Sequence, residues 1–232
     1  MEARLAALLV RRRYLFALLS LALVALVASG ASKLWFESSY KIFFSDDDPR
    51  LVAYEAMEDA YTRGDNVGFV LAPKDGKVFT PDTLEAVIWL TDEAWQLQRS
   101  VRVDSISNFQ YSHAEGDDLI VHDLVRDPQS LSPAELEELK SIALSEPMLV
   151  DMIISDRAHV TFVNVRVELP DDSREQSEVI PALMAETQDL RDRFVEKFPQ
   201  IDVYLMGQVV VNHSFNESAS QDTTTLVPLM FL

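Results

Sequence analysis

The sequence predicts an α+β domain held between two hydrophobic ends, the first of them a membrane helix. Three observations predict it. An uncharged run spans Tyr14 to Ala31, the last residues read Leu226-Val-Pro-Leu-Met-Phe-Leu232, and between these ends a strand-helix-strand pattern occurs twice.

The first run, YLFALLSLALVALVASGA, has 18 residues. At about 1.5 Å per residue it reaches roughly 27 Å, close to the roughly 30 Å of hydrocarbon in a bilayer. Tyr14 at one end and Trp35 and Phe36 at the other suit the two headgroup zones, and Lys33 can extend its ammonium to water. A transmembrane helix is therefore expected over residues 14–36. Arg11, Arg12 and Arg13 precede it, so the positive-inside rule puts residues 1–13 in the cytoplasm and everything after about Trp35 outside. The competing reading is a cleaved signal peptide, with Ala28, Ser29, Gly30 and Ala31 near the cleavage site and a weak twin-arginine motif in Arg11-Arg12-Arg13-Tyr14-Leu15. The run exceeds the usual apolar core of about 7 to 15 residues, which favours the anchor. Residues 226–232 read as the start of a second transmembrane helix, and a buried terminal strand is the plainer alternative for so short a run.

About 190 residues lie between these ends, enough for one good core or two small ones. Beyond Trp35 the chain carries 15 Lys plus Arg against 37 Asp plus Glu, a net charge of −22. Such a field repels nucleic acid and anionic lipid surfaces, and charges dispersed this widely keep a surface solvated. No cysteine is present, which removes disulfides, thiol catalysis and cysteine-ligated metals. Only six glycines serve the chain, and without a low-complexity linker the exported part is expected to be compact.

Asp48 is a good N-cap and Pro49 suits the first helical position, so Pro49 to about Tyr61 is expected to be helical, with Leu51, Tyr54, Met57 and Tyr61 on one face. Asn66 to Ala72 (NVGFVLA) reads as a buried strand, and Pro73-Lys-Asp-Gly76 as a turn. Thr80 caps and Pro81 opens a helix to about Gln98, with Leu84, Val87, Ile88, Thr91 and Trp95 at helical spacing. Val101 to Ser107 alternates and reads as a strand. Residues 108–158 then look like an insertion, with one helix opened by Ser132-Pro133-Ala134-Glu135. His159 to Leu169 (HVTFVNVRVEL) is a strand offering Val160, Phe162, Val165 and Val167 to a buried surface, with a bulge or two-sided burial to explain its imperfect alternation. Pro170-Asp-Asp-Ser173 turns, and a helix of about Glu178 to Phe198 presents Leu183, Leu190, Phe194 and Phe198 before Pro199 stops it. Ile201 to Met206 is the returning strand. Val209 to Thr225 reads as a polar helix leading to Leu226. The order is the ferredoxin-like βαββαβ pattern with a helical insertion.

Catalytic signatures are missing where chemistry needs them. No G-x-S-x-G elbow and no GxxxxGK[ST] loop occurs, so neither hydrolase nor nucleotide-driven chemistry is encoded by motif. No enzyme activity and no cofactor are expected. The densest polar group is His113, Glu115, Asp117, Asp118, His122 and Asp123, whose imidazoles and carboxylates are suitable zinc ligands. Its spacing matches no compact metal motif, and a polar loop is the better account. Trp89, Trp95, Phe162, Met148, Met152 and Met206, with Phe109 and Tyr111 beside the insertion, either line a hydrophobic ligand path or fill the core. Trp95, Phe109, Tyr111 and Phe162 are the candidates for lining such a path.

Several segments taken in order carry a family likeness: Tyr40-Lys-Ile-Phe-Phe-Ser-Asp-Asp-Asp-Pro49, Asp65-Asn-Val-Gly-Phe-Val-Leu-Ala-Pro73, Arg102-Val-Asp-Ser-Ile-Ser-Asn-Phe109, Asp117-Asp-Leu-Ile-Val121 and Gln221-Asp-Thr-Thr-Thr-Leu-Val-Pro-Leu-Met230. Together they resemble the RND superfamily of exporters, in its MMPL-type or hydrophobe/amphiphile efflux branch. The resemblance covers essentially the whole chain. It implies a cytoplasmic N-terminus (1–13), a first transmembrane helix (14–36), a periplasmic porter domain (37–225) and the start of a second transmembrane helix (226–232), in a bacterial inner membrane. It further implies proton-driven export of lipids or other hydrophobic or amphiphilic compounds by a longer transporter, and it is compatible with a homo-oligomer. The family's proton-relay acids belong to later membrane helices, so no residue here inherits that role. Expected partners are the bilayer, a lipid-like substrate and the remainder of the transporter, with no nucleic acid. Two other readings compete: a membrane-anchored exported module that binds or assembles a partner without transport, and an exported hydrolase or metalloprotein built on the insertion.

Overall fold

The computed structural model describes residues 11–30, 43–45, 47–61, 64–116 and 118–230. The chain divides into two compact units, Met1–Glu37 and Ser38–Leu232. The first contains helix α1 (Arg13–Ala28), in which nearly every leucine and valine is exposed. Among the described residues no helix is long and apolar enough to cross a membrane. Where a transmembrane helix is expected over 14–36, the described residues form a helix of only 16 residues, about 24 Å of rise, which does not by itself support a span. Residues 31–36 of that span lie outside the described residues, as do residues 1–10 of the expected cytoplasmic segment.

The second unit is an α+β domain. Helix α2 (Pro49–Ala60) starts where Asp48 accepts a hydrogen bond from the Arg50 N–H at 2.8 Å. Only Leu51 of its expected apolar face is buried; Tyr54, Met57 and Tyr61 are exposed. The core is a four-stranded antiparallel sheet of β1 (Asn66–Pro73), β2 (Ser100–Asp104), β5 (Thr161–Val167) and β6 (Ile201–Met206), in the order β2-β5-β1-β6. Helix α3 (Pro81–Ala94) connects β1 to β2, and helix α5 (Ser173–Lys197) connects β5 to β6. The two strand-helix-strand units thus interleave, and the order is that of the βαββαβ arrangement.

Both crossover helices pack on one face of the sheet. Val67, Phe69 and Leu71 of β1 and Val163, Val165 and Val167 of β5 meet Leu84, Val87 and Leu90 of α3 and Leu183, Leu190 and Phe194 of α5. Burying each large aliphatic or aromatic side chain contributes about 1.5–3 kcal/mol. Trp89 closes the interface between the helices, its ring 6.0 Å from Phe194 and 5.8 Å from Phe198, with the Lys197 ammonium 4.7 Å from its centre. Arg193 of α5 adds an ion pair to Glu93 of α3 at 2.7 Å.

Four expectations are corrected. Helix α3 ends at Ala94, not near Gln98, because the chain turns there and Arg99 takes a left-handed φ of 61°; its buried stripe runs through Leu90 and Ala94 and leaves Trp95 half-exposed. Strand β5 keeps strict alternation, the register shift in its pairing with β2 falling on β2 between Ser100 and Arg102, so Phe162 lies on the face opposite Val163 and Val165 instead of sharing their surface. Helix α5 begins at Ser173, five residues earlier than expected, since Asp172 accepts the Arg174 N–H at 2.7 Å and Pro181 is carried inside the helix. The insertion is not purely helical: β3 (Gln110–Glu115) and β4 (Asp118–Asp123) form a separate antiparallel hairpin, followed by helix α4 (Pro133–Ser145).

Helix α6 (Gln208–Met230) leaves the sheet after Gly207 and packs its first turns on β1, β6 and α5, with Val209 buried. It runs unbroken through residues 226–230. Residues 226–230 are thus helical and continuous with the polar segment before them, not a terminal strand; Phe231 and Leu232, the remainder of the expected second transmembrane start, lie outside the described residues.

Candidate functional groove on the open sheet face

The helices cover one face of the sheet, and the other face carries the candidate site. Side chains alternate across a strand, so the buried set of β5 leaves Phe162, Asn164 and Arg166 on the open side. Asn66, Gly68 and Val70 of β1 and Arg102 and Asp104 of β2 join them there. A cavity of about 680 Å³ forms above this surface. Its apolar lining comes from Trp95, Phe109, Met148, Met152, Ile153 and Phe162.

The floor is tightly made. The Phe162 ring covers Gly68, where an added Cβ would stand 2.2 Å from two ring carbons. Beside it the Asn66 amide donates to the Asn164 side chain at 2.7 Å, and the Asn66 Oδ1 accepts the Gln208 N–H at 2.9 Å, which ties the floor to the first turn of α6. Along β2 the Asp104 carboxylate accepts from Arg102 Nε at 2.6 Å and pairs with Arg166 Nε at 3.8 Å.

One wall is the turn that ends β2. Thr91, Ser105 and Ser107 are buried and share their hydroxyls: Thr91 bonds the Val87 carbonyl at 2.7 Å and Ser105 at 2.9 Å, while Ser105 lies 2.8 Å from Ser107. Asn108 completes this turn by accepting the Ser105 N–H at 2.9 Å and donating to the Val103 carbonyl at 2.7 Å. Buried hydroxyls that find partners in this way cost little, and they hold Phe109 in place as the next residue. The opposite rim is the tight turn around Leu149, from which Met148 and Met152 project with 72% and 70% of their surface exposed.

Three of the four residues expected to border a ligand path, Trp95, Phe109 and Phe162, line this one cavity. Tyr111 does not. It stands over a second cavity of about 430 Å³, together with His113, His122, Asp123, Glu135 and Glu138 between the hairpin and α4. There the Tyr111 and His113 rings stack at 5.4 Å and the two imidazoles meet edge-on at 5.5 Å. The His122 Nδ1 donates to the Asp123 carbonyl at 2.7 Å, which fixes its tautomer. Among the described residues no group of three or more His, Asp or Glu side chains is placed to hold a metal ion; Asp117 and the Glu115 side chain lie outside them.

Arg102, Asp104, Asn164 and Arg166 were not anticipated at the site. Their signal was present in the strands: once Phe162 is set on the open face, alternation carries Asn164 and Arg166 with it, and the same rule applied to Val101-Arg-Val-Asp104 brings out Arg102 and Asp104. No protein-family model matches the chain, and no curated protein matches it.

Proposed function

We propose that the chain is the first part of a proton-driven RND-type exporter of hydrophobic or amphiphilic compounds, contributing a periplasmic porter domain whose open sheet face borders the substrate path. The observation that carries this reading is the groove of about 680 Å³, floored by Phe162 and rimmed by Met148 and Met152. Flexible methionines and flat aromatic rings adapt to apolar ligands of varied shape. The uncharged run behind three arginines, the interleaved strand order and the sequence resemblance point the same way. In this reading the domain performs no covalent chemistry. It offers an apolar surface that opens and closes as membrane helices elsewhere in the transporter move.

Two experiments test the reading. The coding sequence downstream of Leu232 should add apolar residues and further membrane helices; a stop codon there would replace the exporter with the anchored binding module. Because the chain lacks cysteine, a single Ser130→Cys in exposed surface reports its side of the membrane. A membrane-impermeant maleimide should label it in intact spheroplasts, and labelling only after lysis would place the domain on the wrong side for this function.

A further inference from the structure

We infer that the groove selects an anionic amphiphile, seating a carboxylate or phosphate headgroup on Arg102 and Arg166 with its tail along Phe162, Met148 and Met152. The inference rests on the proposed function in that it takes the groove to be a ligand path, and it adds the charge of what enters.

The charge of the groove runs against that of the chain. The whole sequence carries −18, yet among the described residues the charged ones lining the groove are Arg102, Asp104 and Arg166, two cations and one anion. In a molecule this acidic, a local positive excess on an apolar floor is the exception. The register sharpens the point. Arg102 and Arg166 are direct cross-strand partners between β2 and β5, and like charges directly opposite each other are destabilising. Among the described residues only one carboxylate, Asp104, is paired with either of them.

Geometry leaves room for a second anion. Both guanidinium groups meet Asp104 through Nε. A guanidinium has five N–H donors in a planar fork, so the terminal nitrogens of each can still grip a carboxylate or phosphate through two parallel hydrogen bonds. Arg166 and Phe162 stand four residues apart on the same face of β5, about 13 Å at strand spacing. A headgroup at the arginines therefore directs its tail over Asn164 and onto the Phe162 ring, between the methionines of the rim. A cationic amphiphile would meet two like charges at the same place, and a neutral one would leave both forks unused.

The test uses the full chain in nonionic detergent, with its methionine methyl groups labelled with carbon-13 so that Met148 and Met152 report occupancy of the groove by NMR. Four probes of one tail length are titrated: dodecanoate, dodecyl phosphate, methyl dodecanoate and dodecyltrimethylammonium. We expect dodecanoate or dodecyl phosphate to shift both methyl signals at concentrations at least about tenfold below methyl dodecanoate. The stronger of the two identifies the headgroup. Raising the salt from 0.05 to 0.5 M should weaken the anions and leave the ester unchanged, because only the charged contact is screened. Arg166→Gln and Arg102→Gln should each reduce the preference for anions, and Asp104→Asn, which releases both guanidinium groups, should increase it. Equal binding of ester and anion, or tighter binding of the ammonium probe, overturns the anionic selectivity while leaving the apolar groove standing. If no probe moves either methionine, the ligand path itself is lost and the proposed function with it. The comparison among probes on the unmodified chain decides the matter even if a variant fails to fold.

Discussion

Gly68 and Gly207 each face a neighbour too close for a side chain, but the neighbours differ in what they can do. At Gly68 the obstacle is the far end of the Phe162 ring, which can swing about its own χ angles. At Gly207 an added Cβ would stand 2.5 Å from the Asn66 carbonyl oxygen, at a φ of +112° that side chains rarely adopt. Backbone cannot step aside so cheaply. Gly207→Ala is expected to cost about 2–3 kcal/mol, from left-handed strain and a backbone clash. Gly68→Ala should cost only about 1 kcal/mol but displace the ring that floors the groove. Thermal melts of the two variants, followed by circular dichroism, should rank Gly207→Ala as the less stable. Probe titration should rank Gly68→Ala as the weaker binder relative to its stability. The reverse order in both assays would mean that the Phe162 ring is not held by the missing side chain.

At the scale of the element, α4 shows how a local signal becomes a helix terminus. Ser132 accepts the Glu135 N–H at 3.4 Å, and the Glu135 carboxylate accepts the Ser132 N–H at 2.7 Å, a reciprocal capping box. The Ser132 hydroxyl and then its backbone N–H hold the Glu135 carboxyl below the ordinary carboxylate range. A lowered folded-state pKa means that the cap stabilises above the unfolded-state value and is lost as pH falls through the folded one. Amide exchange in the first turn of α4 should therefore stay protected from neutrality down to about pH 5 and accelerate below about pH 4 relative to the other helices. Glu135→Ala should remove that extra acid sensitivity. Such caps were legible in advance: Asp48, Thr80 and Ser132 each accept a hydrogen bond from the first turn that they were expected to open. The order of strands and crossover helices was legible as well, since strands of five to eight residues and breakers such as Pro81 and Gly207 punctuate it. What periodicity could not give was the side on which Phe162 falls, because Val160 and Phe162 compete with Val163 and Val165 for the same apolar face. The hairpin of β3 and β4 escaped for a different reason. Its strands carry Ser, His, Asp and Glu, whose composition reads as loop.

For the whole molecule the dominant quantity is charge. With −22 beyond Trp35, self-repulsion opposes the compact state, and dissolved salt screens it. The melting temperature should rise between about 10 and 500 mM sodium chloride; a flat or falling curve would show that local ion pairs such as Arg193 with Glu93 outweigh the net field. One feature of the topology bears on how such a molecule can change. Strands β2 and β5 are hydrogen-bonded neighbours, with Asp104 opposite Asn164, yet the whole lobe of hairpin, turn and α4 is strung between them. A tight hairpin could make the same join. The lobe supplies the upper edge of the groove through Phe109, Met148 and Met152, while the sheet supplies its base through Phe162, Asn164 and the two arginines. Selectivity and foldability are thus written in different stretches of chain: the excursion can lengthen, shorten or exchange its side chains and re-cut the opening, while the strands beneath keep their pairing and the headgroup seat stays where it is.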